Sequence, residues 1–347
     1  MEKDVRHPSP NHRQSASRHA YLTAFSSPID CNAMSTINEQ LQQGWRLHQA
    51  GRVEEAEDLY RGVLDRAPRN PDAWVFLGIA QFDRRQFHDS VQSYREAISL
   101  GHHNPIAWNN LGNSLRMLGE VDESERCLET ALEQDPRYLS AFKNRGTLWI
   151  WSGEIRRGLH WYQQGLQIDP GNAELHRNLG VIHLLLGQYD VGWPEYRWRW
   201  KMPGMFRPRV PAPIWQGEDL SGKTILLYPE QGSGDAIHFA RSAAVLSGLG
   251  AKVVLQSPSE LVALFSSLPG VDRLLSDKSP IPPVDYHASL LEVVDVVYSQ
   301  TGGLACAAHL FADRSGYLTV SDALIQYWRE WLQANTSRRR VGINWQG

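Results

Sequence analysis

The chain has 347 residues, and through its first half a glycine recurs at a spacing of 34 residues. The five members of this series are Gly44, Gly78, Gly112, Gly146 and Gly180. Sixteen residues after each glycine stands a large side chain, and the five are Tyr60, Tyr94, Leu128, Tyr162 and Tyr196. Self-similarity at a fixed period of roughly 20 to 50 residues indicates stacked structural repeats rather than one closed core.

Each 34-residue unit has room for two helices joined by a short turn. Twelve residues after each glycine comes a small residue, which with the glycine lets the two helices approach, while the Tyr or Leu fills the gap. Because neither helix buries its apolar side alone, the units must stack. The pattern, which includes Trp74-x-x-Leu-Gly and Trp108-x-x-Leu-Gly, resembles the tetratricopeptide repeat. The resemblance covers residues 37–204 and implies an all-α solenoid of five repeats, in which Arg199 replaces a smaller residue of the other copies.

Arrays of this kind bind partners in a concave groove lined by the first helix of each unit. Asn110, Asn144 and Asn178 recur one repeat apart on these helices and predict a ladder of amide side chains. Since an amide both donates and accepts, such a ladder can hold an extended protein segment or peptide by its backbone. It resembles the asparagine ladder of O-GlcNAc transferases. The alternative is that these residues only bond neighbouring turns of the array.

Composition and charge restrict the class of protein and the kinds of partner that the sequence allows. Hydrophobic residues make up 42% and charged residues 21%, which is typical of globular proteins. With 35 basic and 38 acidic side chains, bulk charge favours neither nucleic acid nor a membrane surface as partner. No apolar run approaches the ~18 residues of a membrane span, and three scattered cysteines predict neither disulfides nor a zinc site. We therefore expect a soluble, cytoplasmic protein with no transmembrane segment.

The first residues differ from the repeats. Residues 1–33 mix His, Arg, Ser and Pro without apolar periodicity, so we predict a disordered segment over 1–36. Ser35 and Thr36 are candidate N-caps for the first helix. We hypothesise that translation starts at Met34.

The junction after the repeats is basic and aromatic. Residues 193–216 contain four tryptophans, five basic side chains and one acidic side chain. Such a mixture can stack on single-stranded nucleic acid. However, Trp193, Tyr196 and Trp200 have helical spacing, which favours packing of large rings between the repeat array and a second domain. The Pro-rich segment 205–216 is predicted to be a stiff linker.

The sequence from Gly217 to Thr224 matches the consensus G-x-x-x-x-G-K-[ST] of a phosphate-binding loop. The mechanism of that motif requires a strand before the loop and a helix after it. Here the apolar residues after Thr224 predict a strand, and Glu218 and Asp219 would repel phosphate. We therefore predict no nucleotide hydrolysis.

Residues 217–340 alternate between strand and helix patterns. Strands are predicted at 224–228, 252–256, 272–275 and 284–289, with helices at 236–249, 259–267 and 323–332. Few elements are evident over 293–318. The alternation predicts an α/β domain with a parallel sheet and a ligand at the carboxyl ends of its strands.

The turn after the first strand contains Gly232, Gly234 and Asp235. Asp235 has two interpretations, as the N-cap of the next helix or as a carboxylate facing a cleft. In the second, His238 and Arg241 follow on the same side of one helix.

Three segments of this half, Trp215-x-Gly-Glu-Asp-Leu-x-Gly-Lys-Thr, Glu230-Gln-Gly-x-Gly-Asp and Phe239-Ala-Arg, resemble the glycosyltransferase domain that follows tetratricopeptide repeats in bacterial proteins. That domain is similar to glycosyltransferase family 9, the heptosyltransferases. The resemblance implies the Rossmann-like N-terminal half of a GT-B fold, with Asp235 as general base. It also implies acceptor-side neighbours, which are Glu230, Gln231, Gly232, Gly234, His238 and Arg241. It implies no metal and no cofactor, because the nucleotide-sugar donor is a substrate, and it adds a glycan to the possible acceptors.

In that family, residues 341–347 correspond to the first strand of the donor-binding domain. We expect this chain to lack the rest of that domain, and so to be inactive as a transferase. Two hypotheses stay open. One is a repeat-guided glycosyltransferase present as a fragment, and the other is a non-catalytic interaction scaffold.

Overall fold

The computed structural model of the protein describes residues 31–301, 318, 319 and 322–335. The described chain divides into two compact units, with the boundary between Met205 and Phe206. The predictions for residues 1–30 and for the strand at 341–347 lie outside the described residues.

The first unit consists of five helix pairs. Their helices are α1 (Cys31–Gln49), α2 (Val53–Arg66), α3 (Pro71–Asp83), α4 (Phe87–Ser99), α5 (Pro105–Leu118), α6 (Val121–Gln134), α7 (Leu139–Trp151), α8 (Ile155–Ile168), α9 (Ala173–Leu185) and α10 (Tyr189–Tyr196). Helix α1 begins four residues before Ser35, so the prediction that Ser35 and Thr36 cap it is wrong. Ala33 and Met34 are strong helix formers that extend the helix toward the N-terminus.

Three of the first helices start with a capping asparagine. Oδ1 of Asn70, Asn104 and Asn172 accepts a hydrogen bond from the backbone N–H three residues later, at 2.9, 2.8 and 3.1 Å. Pro71 and Pro105 occupy the next position, where a helix needs no donor. These local signals place the repeat boundaries.

The recurring glycines sit where the two helices of a repeat cross. A Cβ at Gly112 would lie 2.9 Å from Leu128 Cγ, so no larger residue fits beside that side chain. Oγ of Ser124 donates to the Gly112 carbonyl at 2.7 Å, and Ser90 makes the same bond to Gly78 at 2.8 Å. The predicted close approach is therefore confirmed.

The fifth repeat ends differently from the others. Helix α10 has only eight residues, contains Pro194, and passes into a 3₁₀ turn over Arg197–Lys201. Arg199 is only 2% exposed, and its guanidinium lies 4.6 Å from the Tyr196 ring centroid. Trp193 and Tyr196 are buried with ring centroids 6.3 Å apart, so these two rings pack within this repeat. Their packing against a second domain stays a prediction.

The second unit contains a parallel sheet. Its strands are β1 (Thr224–Tyr228), β2 (Lys252–Ser257), β3 (Arg273–Ser276) and β4 (Tyr286–Ser289), in the order β3-β2-β1-β4. Its helices are α11 (Ser233–Phe239), α12 (Ser242–Gly248), α13 (Val262–Phe265), α14 (Leu290–Thr301) and α15 (Asp322–Asn335), and a 3₁₀ turn (Ser259–Leu261) precedes α13. The predicted parallel sheet is confirmed, and it is compatible with the predicted α/β domain. The helix predicted over 236–249 is instead two short helices, and α14 was missed.

Both sides of the sheet are covered, as is usual for parallel sheets. Ile225 and Leu227 lie in a core cluster with residues of α11 to α14. Leu226 and Tyr228 point to the other side, where Val210 packs against them. This burial on both sides explains why β1 is an uninterrupted apolar run.

The end of the Pro-rich segment lies along β4. The Trp215 N–H donates to the His287 carbonyl at 2.9 Å, and the His287 N–H donates to the Pro213 carbonyl at 3.0 Å. Strand β1 begins at Thr224, the last residue of the phosphate-loop match, so a strand rather than a helix follows the loop, which agrees with the rejection of that motif.

Candidate peptide-binding groove and sheet-edge site

The first helices of successive repeats adjoin one another. Helix α1 contacts α3, α3 contacts α5, and α5 contacts α7. These odd-numbered helices therefore form one layer of the stack, and in a curved solenoid such a layer carries the concave surface. We call the surface of α5, α7 and α9 the groove.

Amide side chains connect two repeats in the groove. Asn144 Nδ2 donates to Asn109 Oδ1 at 2.9 Å, and Asn109 Nδ2 donates to Asn110 Oδ1 at 3.1 Å. The structure thus brings together two of the three predicted ladder residues through Asn109, which the sequence analysis missed. Asn178 accepts a hydrogen bond from Arg177 Nη1 of its own helix at 3.3 Å.

Asn144 keeps hydrogen-bonding capacity for a ligand. It is half-buried, and one N–H of its amide is used by Asn109. Among the described residues no group donates to its Oδ1. Since an amide has two donors and an acceptor oxygen, Asn144 can still bond both the N–H and the C=O of a peptide backbone.

A cation lies next to the amides on α5. Asn109, Asn113 and Arg116 have i, i+4, i+7 spacing, so they share one side of the helix. Arg116 donates to Asn113 Oδ1 from Nη2 at 2.7 Å and from Nε at 3.2 Å. Burial lowers the pKa of Arg116 to about 10, so the guanidinium is still charged at pH 7. This spacing is a signal that the sequence analysis missed.

Lys143, a cation on α7, is paired. Lys143 Nζ lies 3.1 Å from Glu174 Oε1 on α9. Close by, the Thr147 hydroxyl bonds the Tyr162 hydroxyl at 2.9 Å. Burial raises the pKa of Tyr162, which therefore stays neutral.

Two large apolar side chains lie open on the same helices. Trp151 is 64% exposed and Leu185 is 74% exposed. They are 34 residues apart, so they occupy the same position in consecutive repeats. The groove therefore offers amides, a cation and apolar surface.

The second candidate site lies at the carboxyl end of β1. Asp235 is in the first turn of α11 and is exposed. The N-cap position of α11 is Gly232, and no side chain caps the helix, so the capping interpretation of Asp235 is wrong. His238 is exposed as well and contacts Phe239 ring edge to face, with centroids 4.7 Å apart. Arg241 lies beyond the break between α11 and α12, so it does not share one helix with Asp235 and His238.

The residues before α11 form an open turn. Glu230 is half-buried, and Gln231 is exposed. A Cβ at Gly232 or Gly234 would meet nothing within 4 Å, so space surrounds both positions.

Polar residues behind this turn form a buried network that the sequence analysis missed. Arg207 bonds Glu292 through both Nη atoms, at 2.8 and 2.6 Å, and the Tyr228 hydroxyl lies 3.1 Å from His287 Nδ1. Burial opposes the charge on Arg207, but its bonds to Glu292 outweigh this and raise its pKa. Burial and the nearby Arg207 lower the pKa of His287, so it is neutral at pH 7. The Ser289-x-x-Glu292 capping box was a readable signal for the start of α14.

The described residues contain neither a cluster of metal-ligating side chains nor a membrane-spanning helix. Within 31–301 and 322–335, no cluster of three or more His, Cys, Asp or Glu side chains is arranged to hold a metal ion. None of the described helices is long and apolar enough to cross a membrane.

Comparison with known families identifies the first unit. Residues 41–105 and 105–138 match the tetratricopeptide repeat family. The N-terminal half is built of tetratricopeptide repeats. Protein FlbA of Caulobacter vibrioides is 27% identical over 184 residues, which are 47% of this chain. The match covers only 30% of that relative's length.

Two solved structures are similar to this chain as well. A thermophilic repeat protein of Thermus thermophilus is 18% identical, with a TM-score of 0.44 over 48% of this chain and 91% of that one. For pilF of Pseudomonas aeruginosa the values are 19% identity and a TM-score of 0.44, over 50% of this chain and 78% of that one.

Proposed function

We propose that this protein is an interaction scaffold whose repeats hold an extended peptide segment of a partner protein in the groove. The observation that carries the proposal is the chain of amides from Asn144 through Asn109 to Asn110. It joins two repeats and still has donors and an acceptor for a ligand. Amides that bond a peptide backbone accept many sequences, which suits a scaffold.

Replacement of Asn144 by alanine tests this proposal. The probe is an array of acetylated, amidated decapeptides of varied sequence, and the tightest of them are then titrated in solution. Loss of one or two hydrogen bonds of about 1 kcal/mol each weakens binding by about five- to thirty-fold. The matched control is Gln163→Ala, which leaves the affinity unchanged. Gln163 is exposed on α8, which is one of the even-numbered, outer helices of the repeats and is not part of the groove. Equal affinity of Asn144→Ala and wild type, or no peptide bound by wild type, contradicts the proposal.

We further propose that the second unit is a Rossmann-like, acceptor-side half of a glycosyltransferase. The strand order β3-β2-β1-β4 and the exposed Asp235 at the end of β1 support this. In the reaction, Asp235 removes the proton from an acceptor hydroxyl as its oxygen attacks the anomeric carbon. The bond from that carbon to the nucleotide breaks, and the nucleotide leaves. The acceptor is then a hydroxyl of the bound peptide or of a glycan.

Replacement of Asp235 by asparagine tests the second proposal. The substrates are a panel of nucleotide-sugars and hydroxyl-bearing groove peptides, with transfer detected as a mass increase. Loss of general base catalysis lowers turnover by about 100-fold or more. Asp277→Asn, which changes another exposed carboxylate, is the control and keeps full turnover. Transfer that Asp235→Asn leaves unchanged contradicts the proposal, and transfer that Asp235→Asn abolishes supports it and overturns the expectation that this chain alone is inactive.

A further inference from the structure

Charge is unevenly distributed among the repeats. Helices α5 and α7, which line the groove, together contain three basic side chains and no acidic one. Helix α6, which lies between them in the sequence, contains five acidic side chains and one basic one. Helices α5 and α7 are therefore basic, whereas α6 is acidic.

The three cations differ in their partners. Lys143 pairs with Glu174, and Arg145 bonds Glu125 from Nε at 2.8 Å. Arg116 forms no ion pair with any carboxylate of the described residues. A buried cation without a carboxylate is costly, because its lost hydration is not replaced.

Arg116 is also short of hydrogen bonds. Its Nε and Nη2 share the single oxygen Asn113 Oδ1, and Nη1 is buried with no partner in the described part of the chain. The Trp151 ring lies over the guanidinium, 4.2 Å from Cζ to the ring centroid. Trp151 is itself 64% exposed, so the group that covers the guanidinium is a ring in contact with solvent.

A second cation without an ion pair in the described residues is Arg177 on α9, whose Nη1 donates to Asn178 Oδ1 at 3.3 Å. Arg116 and Arg177 are therefore two guanidinium groups on first helices of the repeats that can pair with an anionic ligand. Planar guanidinium groups match carboxylates by paired hydrogen bonds.

We propose that the groove selects peptides with an Asp or Glu side chain that pairs with Arg116, next to an apolar residue that packs on Trp151 and Leu185. This rests on the proposed function, since the amides hold the backbone and Arg116 selects the sequence. An internal acidic side chain is favoured over a terminal carboxylate because the amide chain fits a backbone that continues through the groove.

The test compares matched peptides on the full-length protein. Each probe is an acetylated, amidated decapeptide with leucine two residues after a central Glu, and its partner has Gln instead of Glu. A carboxylate–guanidinium bond favours the Glu peptide by about tenfold. In Arg116→Gln the preference falls to about one while the Gln peptide binds as before. Arg126→Gln, which removes an exposed arginine from the outer helix α6, is the matched control and keeps the preference.

The outcomes separate this inference from the proposed function. Equal binding of Glu and Gln peptides by wild type overturns the acidic preference but leaves the scaffold proposal standing, whereas no binding of either peptide contradicts both. If a Gln peptide with a free carboxyl terminus binds more strongly than the amidated Glu peptide, Arg116 pairs with a terminal carboxylate and the inference of an acidic side chain is overturned. If Arg116→Gln melts below the assay temperature, the salt dependence of the wild-type preference for the Glu peptide is measured instead. The wild-type preference must then fall toward one between about 50 and 500 mM NaCl, and a salt-independent preference overturns the inference.

Discussion

Replacement of Trp215 by alanine is expected to unfold the α/β unit while the repeats stay folded. Trp215 is 1% exposed and lies in one cluster with Leu220 and Ile225, and its Nε1 donates to the Glu218 carbonyl at 2.9 Å. Removal of a fully buried Trp side chain costs about 3–5 kcal/mol. That loss is comparable to the whole stability of many domains.

The measurement is urea unfolding followed by far-ultraviolet circular dichroism and hydrogen exchange. Amides of β1 to β4 are expected to lose protection in Trp215→Ala, whereas those of α1 to α9 keep it. Trp151→Ala, which removes a largely exposed tryptophan, is the matched control and costs less than about 1 kcal/mol. A loss in Trp215→Ala no larger than in the control would contradict the packing described for the end of the Pro-rich segment.

Replacement of Arg207 by methionine is the second large expected effect. The change leaves the Glu292 carboxylate, whose side chain is 11% exposed, without its cation. Breaking a buried pair costs about 3–5 kcal/mol, and we expect about 2–4 kcal/mol because Arg207 is partly exposed. The carboxylate also accepts the Ser289 N–H at 3.1 Å, so the start of α14 is disturbed too.

The double variant Arg207→Met with Glu292→Gln tests the cause. A neutral amide needs no cation and still accepts from the Ser289 N–H, so the double variant is expected to be more stable than Arg207→Met. The control is Arg52→Met, which breaks an exposed pair with Glu55 and costs less than about 1 kcal/mol. Equal stability of the single and double variants, measured by urea unfolding, would show that the loss does not come from an unpaired carboxylate.

The repeat fold could be predicted from the sequence because its determinants are local and periodic. Gly112 and Ser124 indicate a helix crossing because only small residues fit where two helices approach closely. Asn104 followed by Pro105 indicates the start of a helix. Strand β1 was predicted with its observed bounds, because burial on both sides leaves only apolar residues there.

The rest depends on contacts that sequence spacing does not encode. The break between α11 and α12 falls at Ala240 and Arg241, where no Gly or Pro marks the end of a helix, so the pattern predicted one helix. Asn144 was predicted as a ladder residue, but its partner Asn109 is in the preceding repeat, 35 residues away. The network of Arg207 with Glu292 joins residues 85 positions apart, and only folding of the sheet brings them together.

The measurement that tests the central claim most directly is photo-crosslinking of a bound peptide. A decapeptide selected from the array carries a diazirine amino acid at its centre, and the attachment sites on the full-length protein are mapped by mass spectrometry. The scaffold account predicts attachment to α5, α7 and α9, with loss of the adducts in Asn144→Ala and their retention in Gln163→Ala. Attachment confined to the outer helices α4, α6 and α8, or to the α/β unit, would contradict it.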